Sequence, residues 1–384
     1  MKVVVAPDSF KESLSAKRVA QAIGRGIHMA CPNAQVIELP MADGGEGTLE
    51  ALLQGTQGEK RYAEVTDALG RPCTAAWGWI APDTAFIEMA SAAGLEQVAP
   101  QDRDVMQADT RGVGHLVLQA LNAGVKRVVL TAGGSATNDG GAGLLHALGM
   151  RFLDASGQTL RPVPTDLLKL AELDASDLDP RIPKVDWIIA TDVENPLCGE
   201  RGASAIFGPQ KGATAEQIRS LDAMLARFAH LSNQARGQVQ GQVQDLGKTP
   251  GAGAGGGIGF AAIAWLNAKV RAGAELVAEL AGLDAHIATA DLVITGEGRM
   301  DQQTLYGKAP MQVIRTARRH HVPVIGIAGS LGSGYEALYE HGLVAAFSLT
   351  SGPMTLQQAC ERAPELLEAR ARDIMRTMIL GVRA

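Results

Sequence analysis

The chain has 384 residues, 46% of them hydrophobic, enough for two domains with a sizeable core. The formal net charge is −6 and aromatic residues make up 4%, so neither a nucleic-acid surface nor a stacking platform for bases is expected. The one basic concentration, residues 315–321, looks like the solvated end of a helix. Cys31, Cys73, Cys198 and Cys360 are widely spaced and form no CxxC pair, so reduced thiols in a cytoplasmic protein are expected rather than structural zinc. The opening MKVVVAPDSF carries too short an apolar run for a signal peptide. No uninterrupted apolar stretch of about 18 residues is present, so no transmembrane helix and no membrane partner are expected.

In chain order, residues 2–6 suggest a short buried strand and residues 7–11 a turn. A helix follows from residue 15 to about residue 29, with Ser13 or Ser15 as N-cap. Residues 36–40 form the next strand, then comes the loop ADGGEGT, then a helix from residue 48. This β-α-β-α opening predicts a parallel sheet. Alternation around Trp77, Trp79 and Phe86 predicts antiparallel strands over residues 75–88. Residues 127–130 and 186–190 are further strands. Residues 232–257, rich in Gln and Gly, suggest an extended loop or mobile segment. Strands at 292–295, 324–328 and 345–349 alternate with helices at 308–320 and 335–341. The expected layout is a doubly wound α/β domain from residues 1–65 and 288–384, with residues 66–287 inserted as a mixed α/β domain.

Two glycine-rich matches are dismissed. The segment GQVQDLGKT, residues 241–249, has five residues between its glycines where a phosphate-binding P-loop has four, and Pro250 follows. GAGAGG, residues 251–256, fits the dinucleotide fingerprint but follows no convincing strand. The backbone amides of 253–257 still suit an anion at the start of the apolar helix that follows.

Five loops combine glycines with acids at strand ends, where ligands bind in open α/β sheets: residues 8–11, 43–48, 133–141, 192–195 and 296–308. Their convergence on one cleft is the main functional signal. In TAGGSATNDGGAG, Gly133 and Gly134 open the backbone while Ser135, Thr137 and Asn138 add donors, which suits a phosphate; the competing reading is a packing turn. In ATDVENPL, Asp192 and Glu194 follow a buried strand, and a pair of acids there suits Mg²⁺ or a proton acceptor. TGEGRMDQQTLYGK offers Glu297, Asp301 and Lys308. Lys11 and Lys308 suit a phosphate as point charges. Asp43 and Glu46 suit either a Mg²⁺–nucleotide or the hydroxyls of a polyol acid. No Ser-His-Asp arrangement and no HxxxH spacing occur.

These same stretches (VVVAPDSFKESLSA, ADGGEGT, GGSATNDGGAG, ATDVENPL, GAGAGGGIG and TGEGRMDQQTLYGK) resemble the bacterial glycerate kinase family of the glyoxylate and glucarate pathways, over nearly the whole chain and in order. The resemblance implies a flavodoxin-like domain formed by both chain ends, a restriction-enzyme-like insert, and ATP- and Mg²⁺-dependent conversion of D-glycerate to 2-phospho-D-glycerate. On that basis Lys11, Asp192 and Asp301 are the expected catalytic residues. Asp8, Asp43, Gly44, Glu46, Asn195, Glu297 and Lys308 are expected to hold the substrate. Gly133, Gly134, Ser135, Thr137, Asn138, Gly255 and Gly256 are expected to hold the nucleotide, and Asp192 and Asp139 the metal. A homodimer is compatible with the pattern. The rival readings are a kinase for another small hydroxy acid, a kinase making 3-phosphoglycerate, a nucleotide sensor without catalysis, and a nicotinamide oxidoreductase.

Overall fold

The computed structural model describes residues 1–10, 13–45, 47–56, 58–80, 82–240 and 245–382, without the side chains of 237–240 and 380–382. The chain forms two compact units. One comprises residues 1–43, 50–57 and 272–384, the other residues 44–49 and 58–271.

In the first unit five strands make one sheet in which every pairing is parallel. Lys2–Val5 lies between Gln35–Glu38 and Leu292–Met300, and beyond the latter come Val324–Leu331 and Leu343–Ser348. Numbered within the unit, the order is 2-1-3-4-5, the flavodoxin-like arrangement, whose switch point falls between the first and third strands. Val3, Val5, Ile294 and Ile327 project from one face into a core closed by the helices Ala16–Ala30 and Ala363–Val382. A Cβ on Gly26 would overlap the Glu368 backbone oxygen, so glycine there sets how closely the two helices pack.

Two strands run further than their apolar stretches suggest. Leu292–Met300 continues through the GEGRM motif because it stays paired with Val324–Leu331, Glu297 opposite Ala328 and Arg299 opposite Ser330. Glu297 therefore stands on a rigid strand rather than in a loop.

In the second unit the sheet order is Lys269–Arg271, Asp186–Ala190, Arg127–Thr131, Thr84–Glu88, Pro72–Ile80, Glu59–Thr66. The first four run parallel and the last two antiparallel. The predicted hairpin over 75–88 is thus present, joined by an outer strand that the sequence hid. Glu59–Thr66 carries Lys60, Arg61 and Glu64 on an edge, where alternation is masked by charge. That strand pairs with Pro72–Ile80, so residues 59–66 belong to the second unit, and the helices Gly273–Leu280 and Leu283–Ile287 pack with Ala309–Arg319, so they belong to the first.

The expected loop over 232–257 is corrected. Ala215–Gln240 is one helix, and Leu221, Leu225, Phe228 and Ser232 recur at its buried face. Gln, Ala and Arg are good helix formers, so polar composition alone did not signal a loop. Phe228 stacks edge-on between Phe152 and Phe260, at centroid distances of 5.7 and 5.5 Å. Of the dismissed P-loop match, 241–244 lie outside the described residues, and Leu246–Lys248 is a single 3₁₀ turn.

Candidate active site

The carboxyl ends of the five strands in the first unit open onto a cavity of about 840 Å³. Asp8 follows the first strand, Asp43 the second, and Glu297 and Arg299 lie on the third. Residues 329–331 end the fourth strand and residues 348–350 close the fifth. Lys308 enters from the start of the helix Ala309–Arg319. The predicted residues Asp8, Asp43, Glu297 and Lys308 are thus brought together. Lys11 and Glu46 lie outside the described residues.

Glu297 is only 6% exposed. Its Oε1 accepts from Thr304 Oγ1 at 2.6 Å and its Oε2 from Lys308 Nζ at 3.1 Å. Burial pushes the Glu297 carboxyl up from its ordinary range, while Thr304 and Lys308 pull it back. The pair fixes the lysine head at the cavity wall. Asp8 is 7% exposed, and its Oδ1 accepts from the Ser9 amide at 2.6 Å.

Asp301 caps a short turn. Its Oδ1 accepts from the Gln303 amide at 2.8 Å, its Oδ2 from Arg299 Nε at 3.1 Å, and its own amide donates to Thr304 Oγ1. This is a capping box at the start of Gln302–Leu305. The carboxylate thus holds this turn.

In the second unit the three expected loops pack on one another. The Gly253 amide donates to Asn195 O at 2.9 Å, and the Gly140 amide to Gly256 O at 3.0 Å. Gly255, Gly256 and Gly257 are all left-handed, with φ of 58°, 71° and 96°. A Cβ on Gly256 would overlap Thr137 O, and one on Gly257 would press on Gly140 Cα. Gly256 and Gly257 therefore serve close backbone packing, while Gly255 stays partly exposed. The dinucleotide match also lacks its strand, as expected, since a 3₁₀ turn precedes it.

The polar residues after Gly134 turn inward. Asp139 is completely buried: its Oδ2 accepts from the Thr110 amide, Thr110 Oγ1 and the Gly143 amide, and its Oδ1 from the Gly141 amide. Four internal donors surround this carboxylate. Thr137 and Asn138 are completely buried as well, and Asn138 Nδ2 donates to Ser204 Oγ at 2.8 Å. Thr137 Oγ1 and Asn138 Oδ1 find no hydrogen-bond partner among the described residues. Gly133 and Gly134 stay accessible, and Ser135 lies just beneath them. Gly44 is buried in a left-handed turn beside Gly133, so only its backbone is there to meet a ligand. Asp192 is exposed after its strand, and Asn195 Nδ2 ties the same loop to Arg201 O at 2.8 Å.

One residue escaped sequence reasoning. Lys211 is 1% exposed, and its Nζ donates to Ser135 Oγ and Thr137 O, both at 2.7 Å. Burial lowers its pKa to about 7, against a partial pull upward from Asp139. It thus sets an amine head under the glycine loop. The available signal was a lone lysine between Gly208 and Gly212, in a stretch with no other basic residue.

Among the described residues no group of three His, Cys, Asp or Glu side chains is placed to hold a metal. No helix among them is long and apolar enough to cross a membrane.

A doubly wound parallel sheet bearing acids and a lysine at its strand ends, with a second α/β unit carrying a glycine loop over a buried lysine, defines a two-unit α/β protein with ligand loops in both halves. The chain belongs to the glycerate kinase family, whose model matches residues 3–379. It is 46% identical over 385 residues to the glycerate 2-kinase of Escherichia coli K12, covering 100% of this chain and 99% of that one. It is also 46% identical to the glycerate kinase of Halalkalibacterium halodurans, with 97% of each chain covered. Its fold matches the crystal structure of an inferred glycerate kinase 2 from Salmonella typhimurium LT2 with a TM-score of 0.89, at 46% identity and full coverage of both chains.

Proposed function

We propose that this protein transfers the γ-phosphoryl group of ATP to the 2-hydroxyl of D-glycerate, in the cytoplasm, giving ADP and 2-phospho-D-glycerate. The observation that carries the reading is the cavity of the first unit, where Asp8, Asp43 and the Glu297–Lys308 pair meet at the carboxyl ends of a parallel sheet. The name of the Escherichia coli relative supports the choice of hydroxyl.

Phosphoryl transfer asks a protein for in-line placement and cancellation of charge. The glycerate oxygen bonds to the γ-phosphorus as the bond to the β–γ bridging oxygen breaks, and the hydroxyl proton passes to a carboxylate. Asp192 is the proposed acceptor. Lys308, held by Glu297, and Lys11 are the proposed partners for phosphate or carboxylate charge. Gly133, Gly134 and Ser135 are proposed as phosphate contacts, with Lys211 fixing Ser135 from below. Mg²⁺ enters such reactions through one or two carboxylates, with phosphate oxygens completing its shell, and neutralises phosphate charge there. Asp8 and Asp43, both at the cavity, fit that share, as does exposed Asp192, whereas Asp139 does not.

Coupled detection of ADP release tests this. D-glycerate should raise the rate far above the rate with ATP alone, and L-glycerate and other small hydroxy acids should not match it. Equal rates with and without D-glycerate would remove the assignment.

A further inference from the structure

The cavity of the first unit has two chemically different ends. One carries Asp8, Asp43, Glu297 and Lys308. The other, along the fourth and fifth strands and the segment 354–360, is the more apolar, with Leu331, Leu349, Met354 and Leu356 in its wall beside the hydroxyls of Ser348 and Thr350. At about 840 Å³ the whole is far larger than a three-carbon acid requires. Every carbon of glycerate bears a hydroxyl or carboxylate oxygen, so it gains nothing from an apolar wall. Of the two reactants only ATP has an apolar part, the flat faces of its purine.

We propose that this apolar end is the nucleoside pocket, holding the adenine and ribose of ATP against the segment 354–360; this rests on the kinase reading above. Leu356 supports it. It opens the short helix Leu356–Glu361 and is 79% exposed, yet it lies on the cavity rim instead of in the core. An exposed leucine beside half-buried Met354 and Cys360 leaves apolar surface in water, and a purine would cover it. The segment is held in place: Thr355 and Gln358 form a capping box, and Ser13 Oγ donates to Cys360 O at 3.1 Å. The wall is therefore formed before any ligand arrives.

Cys360 supplies the test, since it lines the proposed pocket while Cys31, Cys73 and Cys198 do not line the cavity. Alkylation of the full-length protein by N-ethylmaleimide, followed by peptide mass spectrometry, reads each cysteine separately. Saturating ADP should slow labelling of Cys360 about tenfold, while D-glycerate alone leaves it within twofold. The variant Leu356→Asp alters an exposed side chain, so folding is not at stake. It should raise the KM for ATP about tenfold and leave the KM for D-glycerate within twofold. Inorganic triphosphate, which has no nucleoside, should inhibit wild type and variant equally. Labelling unchanged by ADP, or an ATP KM unchanged in Leu356→Asp, would overturn the proposal. A failed kinase reading would instead appear as no ADP release with D-glycerate, whatever the labelling shows.

Discussion

In the first unit the motif acids Asp8, Asp43 and Glu297 line an open cavity, and the strands that carry them end there. In the second unit the most glycine-rich motifs close on each other, with Asp139, Thr137 and Asn138 buried and Gly256 pressed against Thr137. The two regions look alike in sequence, acids and glycines together after a strand, yet in one the acids line an open cavity and in the other the glycines pack two backbone segments together. The difference lies in what surrounds the glycines. Where left-handed glycines run consecutively before an apolar helix, as at 255–257, they let two chain segments touch, and the polar side chains of 137–139 lie buried beside the contact. Only the tip of the second unit's loop, Gly133 and Gly134, remains outward.

That contrast can be broken by substitution. The largest effect is expected from Asp192→Asn, which should lower kcat at least about 10²-fold with folding unchanged, the scale of a lost proton acceptor; near-normal turnover would remove Asp192 from catalysis. Next comes Gly256→Ala, where a left-handed φ and an overlap with Thr137 O combine. It should destabilise the fold by at least about 2 kcal/mol in denaturant unfolding. Gly47→Ala, also left-handed but with nothing near its Cβ position, should cost only about 1 kcal/mol. Equal costs at the two sites would contradict the packing role given to 255–257.

A subtler contrast concerns Lys211. Its folded pKa of about 7 lies below its ordinary 10.5, so between these values the unfolded chain holds a proton that the folded chain has shed. Its contribution therefore becomes more favourable to folding as pH rises through that window, and is least favourable below pH 7. Melting curves of wild type and Lys211→Met from pH 7 to 9 should diverge in favour of wild type; parallel curves would show that Lys211 does not titrate there. The smallest effect is expected at Asp301. Asp301→Ala should cost about 1 kcal/mol of stability as a lost cap and change kcat less than threefold; a hundredfold loss would return it to the chemistry.

Much of this was legible in the sequence. The β-α alternation, the doubly wound first unit from both chain ends and the acid-bearing strand ends followed from apolar runs and turn residues. What stayed hidden depended on distant partners. The helix through residue 240 needed the buried face of Leu225 and Phe228 to be recognised, because its last two turns are mostly polar, with only Ala235 and Val239 apolar. Asp301 and Asp139 carry the same carboxylate as Asp8, and only their hydrogen-bond partners reveal that they hold turns. Lys211 is distant in sequence from Ser135, and no local pattern announces that its ammonium is buried beneath that serine.

The central claim is tested most directly by ³¹P NMR of the products formed from ATP, Mg²⁺ and D-glycerate. The account predicts ADP together with a 2-phosphoglycerate resonance. A 3-phosphoglycerate resonance would contradict the assigned hydroxyl, and ATP left intact would contradict the activity itself.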